Sequence, residues 1–564
     1  MGFDIRIYFC IHLKPVMKKK RFAKLKKYPL KLIVFLLIST VVAVLLVLPN
    51  SANSQKRTLR PMSNRPFISV CGLPGGKSAK CHAKVLTEND TVTPFAGSLP
   101  ASTSMGPAQF HTAYSLPCTP GGVVSSQCAV PSSFGPQTVA IVDAYHYPTV
   151  ENDLTVYSNQ FGIPTCTKAN GCLSVVNQNG GTTLPTTVNA GWALETAMDV
   201  QVAHAICQTC KIVLIEASSA NFSDLGTAVN TAAAMSVTAI SNSYGAAEFS
   251  GETTYDSYYN HSGIAVTVSS GDNGYGNEYP ASSKNVVAVG GTTLQLLSDN
   301  TYSSESVWNG SGSGCSAFEN ALSFQTSLSN WSLTGCSTKR AVADVSADAD
   351  PNSGAGVYTT TAYNGQTGWF QVGGTSLSSP LIAGVYALAG GVSAGTLASS
   401  ILYQNYSLSS FHDVTTGSNG SCSTIMCKGV AGFDGPTGLG TPNGITGFGG
   451  TVSTATPTLT STPIPTPTPV LDTTPPTVSI TSPLNNSIVQ RNSWVTVSAS
   501  ASDNIGVKKV EFYVNNSLLA TDSASPYNIS WKVPNTKNIA YTLSARAYDA
   551  AGNTAVSSVK VTSK

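Results

Sequence analysis

The sequence predicts an α/β unit, a parallel sheet with helices on both faces, followed by a separate all-β sandwich. Three observations predict this. Short β-branched runs alternate with helix-period segments between about residues 137 and 270, as βαβ crossovers require. A Thr/Pro-rich stretch breaks that order after Gly450. Beyond it, short runs alternate with period two between turn signals such as Asp503-Asn504 and Gly552-Asn553. A chain of 564 residues has room for two or three folded units.

Residues 1–52 read as an export signal. Ten of the 31 Lys and Arg residues precede residue 32, against Asp4 alone among 28 acids, so the formal +3 hides a net of −6 beyond the head. The uncharged run Leu32 to Leu48 then leads to small residues around Ala52. Initiation at Met17 and cleavage near Ala52 are expected. An uncleaved membrane tether is the competing reading, but the run is at the short edge of what spans a bilayer, which favours cleavage. Nothing in the charge calls for nucleic acid.

Composition agrees with export. Only 10% of residues are charged and there are 50 glycines. Of 13 cysteines, Cys10 lies in the head; the rest form close pairs, Cys71 with Cys81, Cys118 with Cys128, Cys166 with Cys172, Cys207 with Cys210, Cys315 with Cys336 and Cys422 with Cys427. An even count in short loops reads as disulfides outside the cell. Cys207-Gln-Thr-Cys210 could also be a redox dithiol or half a zinc site, but no second C-x-x-C or neighbouring His pair supports zinc.

Residues 53–105 show little periodicity and read as a leader or short pro-segment. Strand-like runs follow at 137–143, 211–215, 237–243 and 264–270, with helical stretches at 191–206, 225–235 and 253–260 between them. Active sites in such sheets gather at the carboxyl ends of the strands. Residues 451–476 are expected to be an extended spacer, and 477–564 a sandwich of immunoglobulin type. No catalytic constellation occurs in the sandwich, which reads as a spacer or adhesion module.

The octapeptide Gly373-Gly374-Thr375-Ser376-Leu377-Ser378-Ser379-Pro380, followed by an apolar helix pattern, places Ser376 at a tight loop-to-helix turn. Free N–H groups there favour a developing negative charge, so Ser376 is a candidate nucleophile; a plain helix cap is the alternative. Its base could be His204 with Asp143 behind it, in a neutral hydrolase. Helix geometry opposes this, because His204 projects from the face opposite Glu195, in an apolar setting. Glu195 and Asp199 stand at i and i+4 on one face, where paired acids share a proton and favour acidic operation. The alternative is two solvated surface acids. A third acid, Asp272, stands in Ser269-Ser270-Gly271-Asp272-Asn273-Gly274 after a strand; kept protonated, it could donate to an oxyanion.

Glu195-x-x-x-Asp199 on a helix, Ser-Gly-Asp272 after a strand and Gly-Thr-Ser376 before a helix, in that order, resemble the sedolisin family of serine-carboxyl peptidases. The similarity runs from about Gly106 to Gly450 and takes in Ser241-Asn-Ser-Tyr-Gly245 and Tyr279-Pro280-Ala281. It implies a subtilisin-like fold over residues 106–450 and a secreted endopeptidase acting at low pH on protein or peptide substrates. It implies Ser376 as nucleophile, Glu195 as general base then acid, Asp199 as its orienting partner, Asp272 as oxyanion donor and Asp143 as accessory acid. It also implies one structural Ca²⁺, held by Asp413, Asp434 and the carbonyls of Val414, Val430 and Gly432. No other cofactor is expected.

The tail resembles the bacterial Ig-like modules of secreted hydrolases, with a cell surface or a polysaccharide as its expected contact. The chain is expected to be a monomer. The family usually carries a long folded propeptide, whereas only about fifty residues separate the expected signal from the first matching motif; Gly374 stands where a serine is frequent, a change expected to be tolerated. From a different class, an inactive peptidase-like adhesion protein fits the spacer and sandwich, but an idle site has no physical need to keep all four residues.

Overall fold

The computed structural model describes residues 58–72, 78–88, 92–118, 135–451, 475–503, 507–523, 526–549 and 552–564. The expected export signal, Cys128 and most of the Thr/Pro spacer lie outside them. Two compact units divide at Thr454. Among the described residues, no helix is long and apolar enough to cross a membrane.

The described part of the segment expected to be a leader or short pro-segment, 53–105, forms short strands within the first unit. Strands β1 (Phe67–Ser69), β2 (Lys80–Cys81), β3 (Lys84–Leu86) and β4 (Ala96–Gly97) are two or three residues long. Strands this short have no period to read, and their backbone partners stand elsewhere in the chain. Helix α1 (Pro107–Ala113) follows.

The central sheet collects the predicted crossovers. Its strands are β5 (Thr138–Ala144), β6 (Leu173–Asn177), β7 (Lys211–Ala217), β8 (Ala239–Asn242), β10 (Ala265–Ser269), β12 (Val287–Leu296), β13 (Tyr302–Val307) and β16 (Val345–Asp348). The order is β13-β12-β10-β8-β5-β7-β6, with β16 also paired to β12. All pairs are parallel except β12 with the edge strand β13. Val139 to Val142 are fully buried, as near-continuous apolar strands covered on both sides must be. Outside this sheet, β9 (Tyr244–Ala247) pairs with β11 (Glu278–Tyr279), β14 (Gly314–Asn320) with β15 (Lys339–Val342), and β17 (Ala355–Tyr363) with β18 (Gln366–Gly373).

Helices α2 (Val150–Phe161), α3 (Ala190–Ile206), α4 (Phe222–Ala234) and α5 (Thr375–Leu388) pack around these sheets. The helix expected over 253–260 is a 3₁₀ segment, Glu252–Tyr258. A buried ion pair braces β15 to β16: Arg340 Nη2 meets Asp344 Oδ2 at 2.6 Å, and Ala288 N–H donates to the same oxygen at 2.8 Å. Both side chains are fully buried, so Asp344→Ala leaves an unpaired guanidinium and is expected to cost about 3–5 kcal/mol. Thermal or denaturant melts check this; a loss below about 1 kcal/mol would refute it.

Five of the expected cysteine pairs are bonded, Cys71–Cys81, Cys166–Cys172, Cys207–Cys210, Cys315–Cys336 and Cys422–Cys427. The Cys207–Cys210 dithiol reading therefore gives way to a bridge.

The second unit is a sandwich of a three-stranded sheet (Thr477–Ser482, Trp494–Ser502, Tyr527–Lys532) and a five-stranded one (Ser487–Val489, Thr554–Ser563, Ala540–Asp549, Val507–Val514, Ser517–Asp522). Val497, Phe512, Trp531, Leu543 and Val561 fill its core.

Candidate active site

Helix α3 starts where Asn189 Oδ1 accepts from the N–H groups of Gly191 and Trp192. All its residues from Gly191 to Ile206 are buried. Glu195 and Asp199, one turn apart, therefore face the interior, and the reading as solvated surface acids is wrong. Asp143, near the end of β5, joins them. Burial pushes the Glu195 carboxyl well above its ordinary value; Asp199 and then Asp143 push it further, while the Ser376 hydroxyl opposes them. Burial and then Asp143 raise Asp199 in the same way, against the Ser243 hydroxyl. Three acids next to one another in a dry site hold their protons jointly.

Asp143 is raised to about 7, by burial first, against the Thr196 hydroxyl. An acid that titrates near ~4 unfolded and higher when folded stabilises the fold fully below about pH 4 and loses that contribution as pH rises through the folded value. Stability is thus expected to fall between about pH 4 and pH 7, and less steeply in Asp143→Asn. Melting temperatures across that window check this; equal slopes would count against it.

Ser376 opens α5. Its Oγ donates to Ser243 O at 3.2 Å. Pro380 has no N–H to give the Ser376 carbonyl four residues back, and Ser243 Oγ donates to that carbonyl instead, at 3.4 Å. The proline thereby ties the turn to the loop after β8.

Asp272, after β10, faces the same turn. Thr375 N–H and Thr375 Oγ1 donate to Asp272 Oδ1 at 2.8 and 2.9 Å, and Gly271 N–H donates to Thr375 Oγ1 at 3.1 Å. Asp272 Oδ2 is buried without a partner among the described residues. Burial raises this carboxyl, with Lys84 and His82 pulling the other way. A proton on Oδ2 would point it into the site as a donor.

Gly374 has φ +100°, and an ideal Cβ there would run into the carbonyl oxygen of His82. Conformation and crowding both favour the glycine that stands at 374.

His204 is not part of this cluster. Its Nε2–H donates to Pro164 O at 2.6 Å, it lies beside Cys166 and Cys172, and burial lowers it to about 4. The Asp143, His204, Ser376 set is not assembled.

Sequence reading gave no role to four contributors. Ser243 supplies the carbonyl on Ser376, Thr375 fixes Asp272, and His82 with Glu278 enters the site's edge. Thr375 stood within the octapeptide and Ser243 within Ser241-Asn-Ser-Tyr-Gly245; no local pattern marked His82 or Glu278.

The second set of acids lies in loops after α5. Gly432 N–H donates to both oxygens of Asp413, and Val430 N–H to Asp434 Oδ2 at 3.0 Å. Asp434 is fully buried, and burial raises its carboxyl, with Asp413 adding to the rise.

Residues 181–396 match the model of the subtilase family, and residues 476–545 that of a bacterial Ig domain. Sedolisin of Pseudomonas sp. (strain 101) is 36% identical over 206 residues, 32% of this chain and 33% of that protein. Xanthomonalisin of Xanthomonas sp. (strain T-22) is 36% identical over 216 residues, 32% of this chain and 24% of that protein. The match thus spans a third or less of these curated relatives. A solved structure of Pseudomonas sedolisin, a serine-carboxyl proteinase complexed with two molecules of pseudo-iodotyrostatin, covers 62% of this chain and 96% of its own, with 25% identity and TM-score 0.49. Residues 181–396 are thus similar to the subtilase family, with sedolisin and xanthomonalisin among the similar proteins, and a stretch similar to a bacterial Ig domain follows in sequence.

Proposed function

We propose that this chain is a secreted, acid-acting serine-carboxyl endopeptidase. The observation that carries the reading is a dry cluster of carboxyls in which Glu195 feels the Ser376 hydroxyl, with both Glu195 oxygens left without a hydrogen-bond partner among the described residues and His204 engaged by Pro164 O. Ser376 Oγ attacks the substrate carbonyl carbon while Glu195 takes its proton. Asp199 orients Glu195 and shares its proton, and Asp143 keeps the cluster's charge low. Asp272 donates from Oδ2 to the oxyanion. Glu195 then protonates the leaving amine, and water releases the acyl group by the same steps reversed.

Low pH suits each part. Asp272 must keep its proton, and few surface carboxylates are present to change state as pH falls. Casein digestion across about pH 3 to 8 tests the reading: activity confined to the acid side supports it, and a neutral optimum lost in His204→Ala overturns it. Export belongs to the same proposal, since disulfides persist in oxidising compartments.

We also propose one structural Ca²⁺ held by Asp413, Asp434 and the carbonyls of Val414, Val430 and Gly432. The donor set fits, being hard oxygens around two neighbouring acids that have no cationic partner among the described residues. Saturating calcium is expected to add about 3 kcal/mol at a hundredfold excess over Kd, seen as a rise in melting temperature. Chelation should reverse the rise and Asp434→Asn should remove it; a calcium-independent melt would refute the site.

A further inference from the structure

The cluster of Glu195, Asp199 and Asp143 has a fourth acidic neighbour that the proposed chemistry leaves without a task. Strands β5 and β7 run parallel, and their register sets Asp143 beside Glu216. Side chains paired across a sheet in this way leave it on the same face. Asp143 therefore meets charge from two directions, Glu195 and Asp199 on α3 and Glu216 on β7. Asp143 and Glu216 are each 1% exposed.

The surroundings of Glu216 are built to hold an anion. Tyr147 N–H donates to its Oε1 at 3.0 Å, and His146 Nδ1–H to its Oε2 at 2.7 Å. Tyr145, at φ +70°, turns the chain after β5 and brings His146 back onto β7. His146 N–H donates in turn to Thr187 O at 2.9 Å, two residues ahead of the Asn189 cap of α3. One short loop thus joins Glu216 to the helix that carries Glu195. Donors on both oxygens favour an ionised carboxylate. Burial raises Glu216, while Tyr147 N–H, His146 and Lys168 pull it back. At Asp143 burial acts first, and the Glu216 charge adds to the rise.

The other elements around Glu216 add little charge. Lys168 Nζ lies 4.0 Å from Glu151 Oε2 on α2 and divides its charge between the two acids. On the other flank, β6 sets the neutral Asn177 in register with Glu216. Helix α4, packed on β7, brings Asp224, which Ser219 Oγ and Gln178 Nε2 hold. The ring of His146 is 23% exposed, so Glu216 can exchange its proton with water while Asp143 stays dry.

We propose that Glu216, seated by His146, is a positioning residue of the carboxyl cluster: its charge holds the proton on Asp143 and so keeps a second negative charge off the cluster as pH rises. The inference rests on the peptidase reading and deepens it, naming what sets the neutral-side limit of activity. A carboxylate beside Asp143 disfavours a second one. With Glu216 ionised, Asp143 keeps its proton to higher pH, and Glu195 keeps neighbours that can still share one.

Glu216→Gln tests this, because the amide keeps the shape and the acceptor for Tyr147 N–H but loses the charge. The neutral-side limb of casein hydrolysis is expected to move about one pH unit toward acid, with the rate on the acid side retained. A merely structural loss would lower the rate at every pH instead. In Asp143→Asn the same change at 216 is expected to move the limb no further, since the proton it acts on is gone. Infrared titration of the full chain carrying Ser376→Ala reads that proton without activity: the carboxyl band that Asp143→Asn removes is expected to titrate about one pH unit lower in Glu216→Gln. An unmoved limb, an unmoved band, or a shift of the limb that persists in Asp143→Asn would overturn the inference while leaving the peptidase reading intact. A wild-type chain inert toward casein at every pH would overturn both.

Discussion

Ser376→Ala is expected to lower kcat for peptide hydrolysis by about 10⁴- to 10⁶-fold, the range seen when the member of a cooperating site that forms the covalent bond is removed. The side chain makes one hydrogen bond, to Ser243 O at 3.2 Å, and alanine fills nearly the same volume. Its loss is expected to change stability by no more than about 1 kcal/mol. Chemistry and folding are therefore separable in this variant. Assays on casein, alongside a thermal melt, check it. Retained hydrolysis in a folded Ser376→Ala protein would end the acyl-enzyme mechanism.

Glu195→Gln is expected to lower kcat by about 10²- to 10⁴-fold, because the amide keeps the shape but cannot accept the Ser376 proton. The same change relieves the repulsion that Asp199 and Asp143 exert on position 195, so the fold is expected to hold or gain toward neutral pH. His204→Ala is the contrasting variant. It keeps the acids and removes a buried donor from Pro164 O, so it is expected to lose about 1–3 kcal/mol of stability and little kcat per folded molecule. Activity measured per folded molecule across pH separates the two. The reverse pattern, activity lost in His204→Ala and kept in Glu195→Gln, would reassign the base.

Much of the arrangement was legible because it is local. Glu195 and Asp199 are a fixed distance apart on any helix, and Ser376 announces itself by its glycines, its hydroxyls and the helix pattern behind it. The crossovers were legible too, since buried parallel strands are apolar throughout. The leader was not. Lys84 to Leu86 pair with β1 close by in sequence, but Lys80 and Cys81 also find β9, and Lys84 and Val85 find β18, and no property of four residues encodes partners more than 150 positions away. The contact of His82 with Glu278 was hidden for the same reason. Solvent exposure of the paired acids was also beyond reach, because a helix of mixed composition does not say which neighbours close over it. Short strands of the sandwich, such as Ser517–Asp522, escaped because their exposed faces blur the alternation.

The disulfides carry one more consequence. Cys166–Cys172, Cys207–Cys210 and Cys422–Cys427 each close a loop of only a few residues, spanning 6, 3 and 5 positions. A peptide bond held in so tight a ring cannot be drawn out into the extended strand that peptide recognition by sheet edges requires. Under the proposed peptidase activity, these small rings are expected to make each molecule a poor substrate for its neighbours.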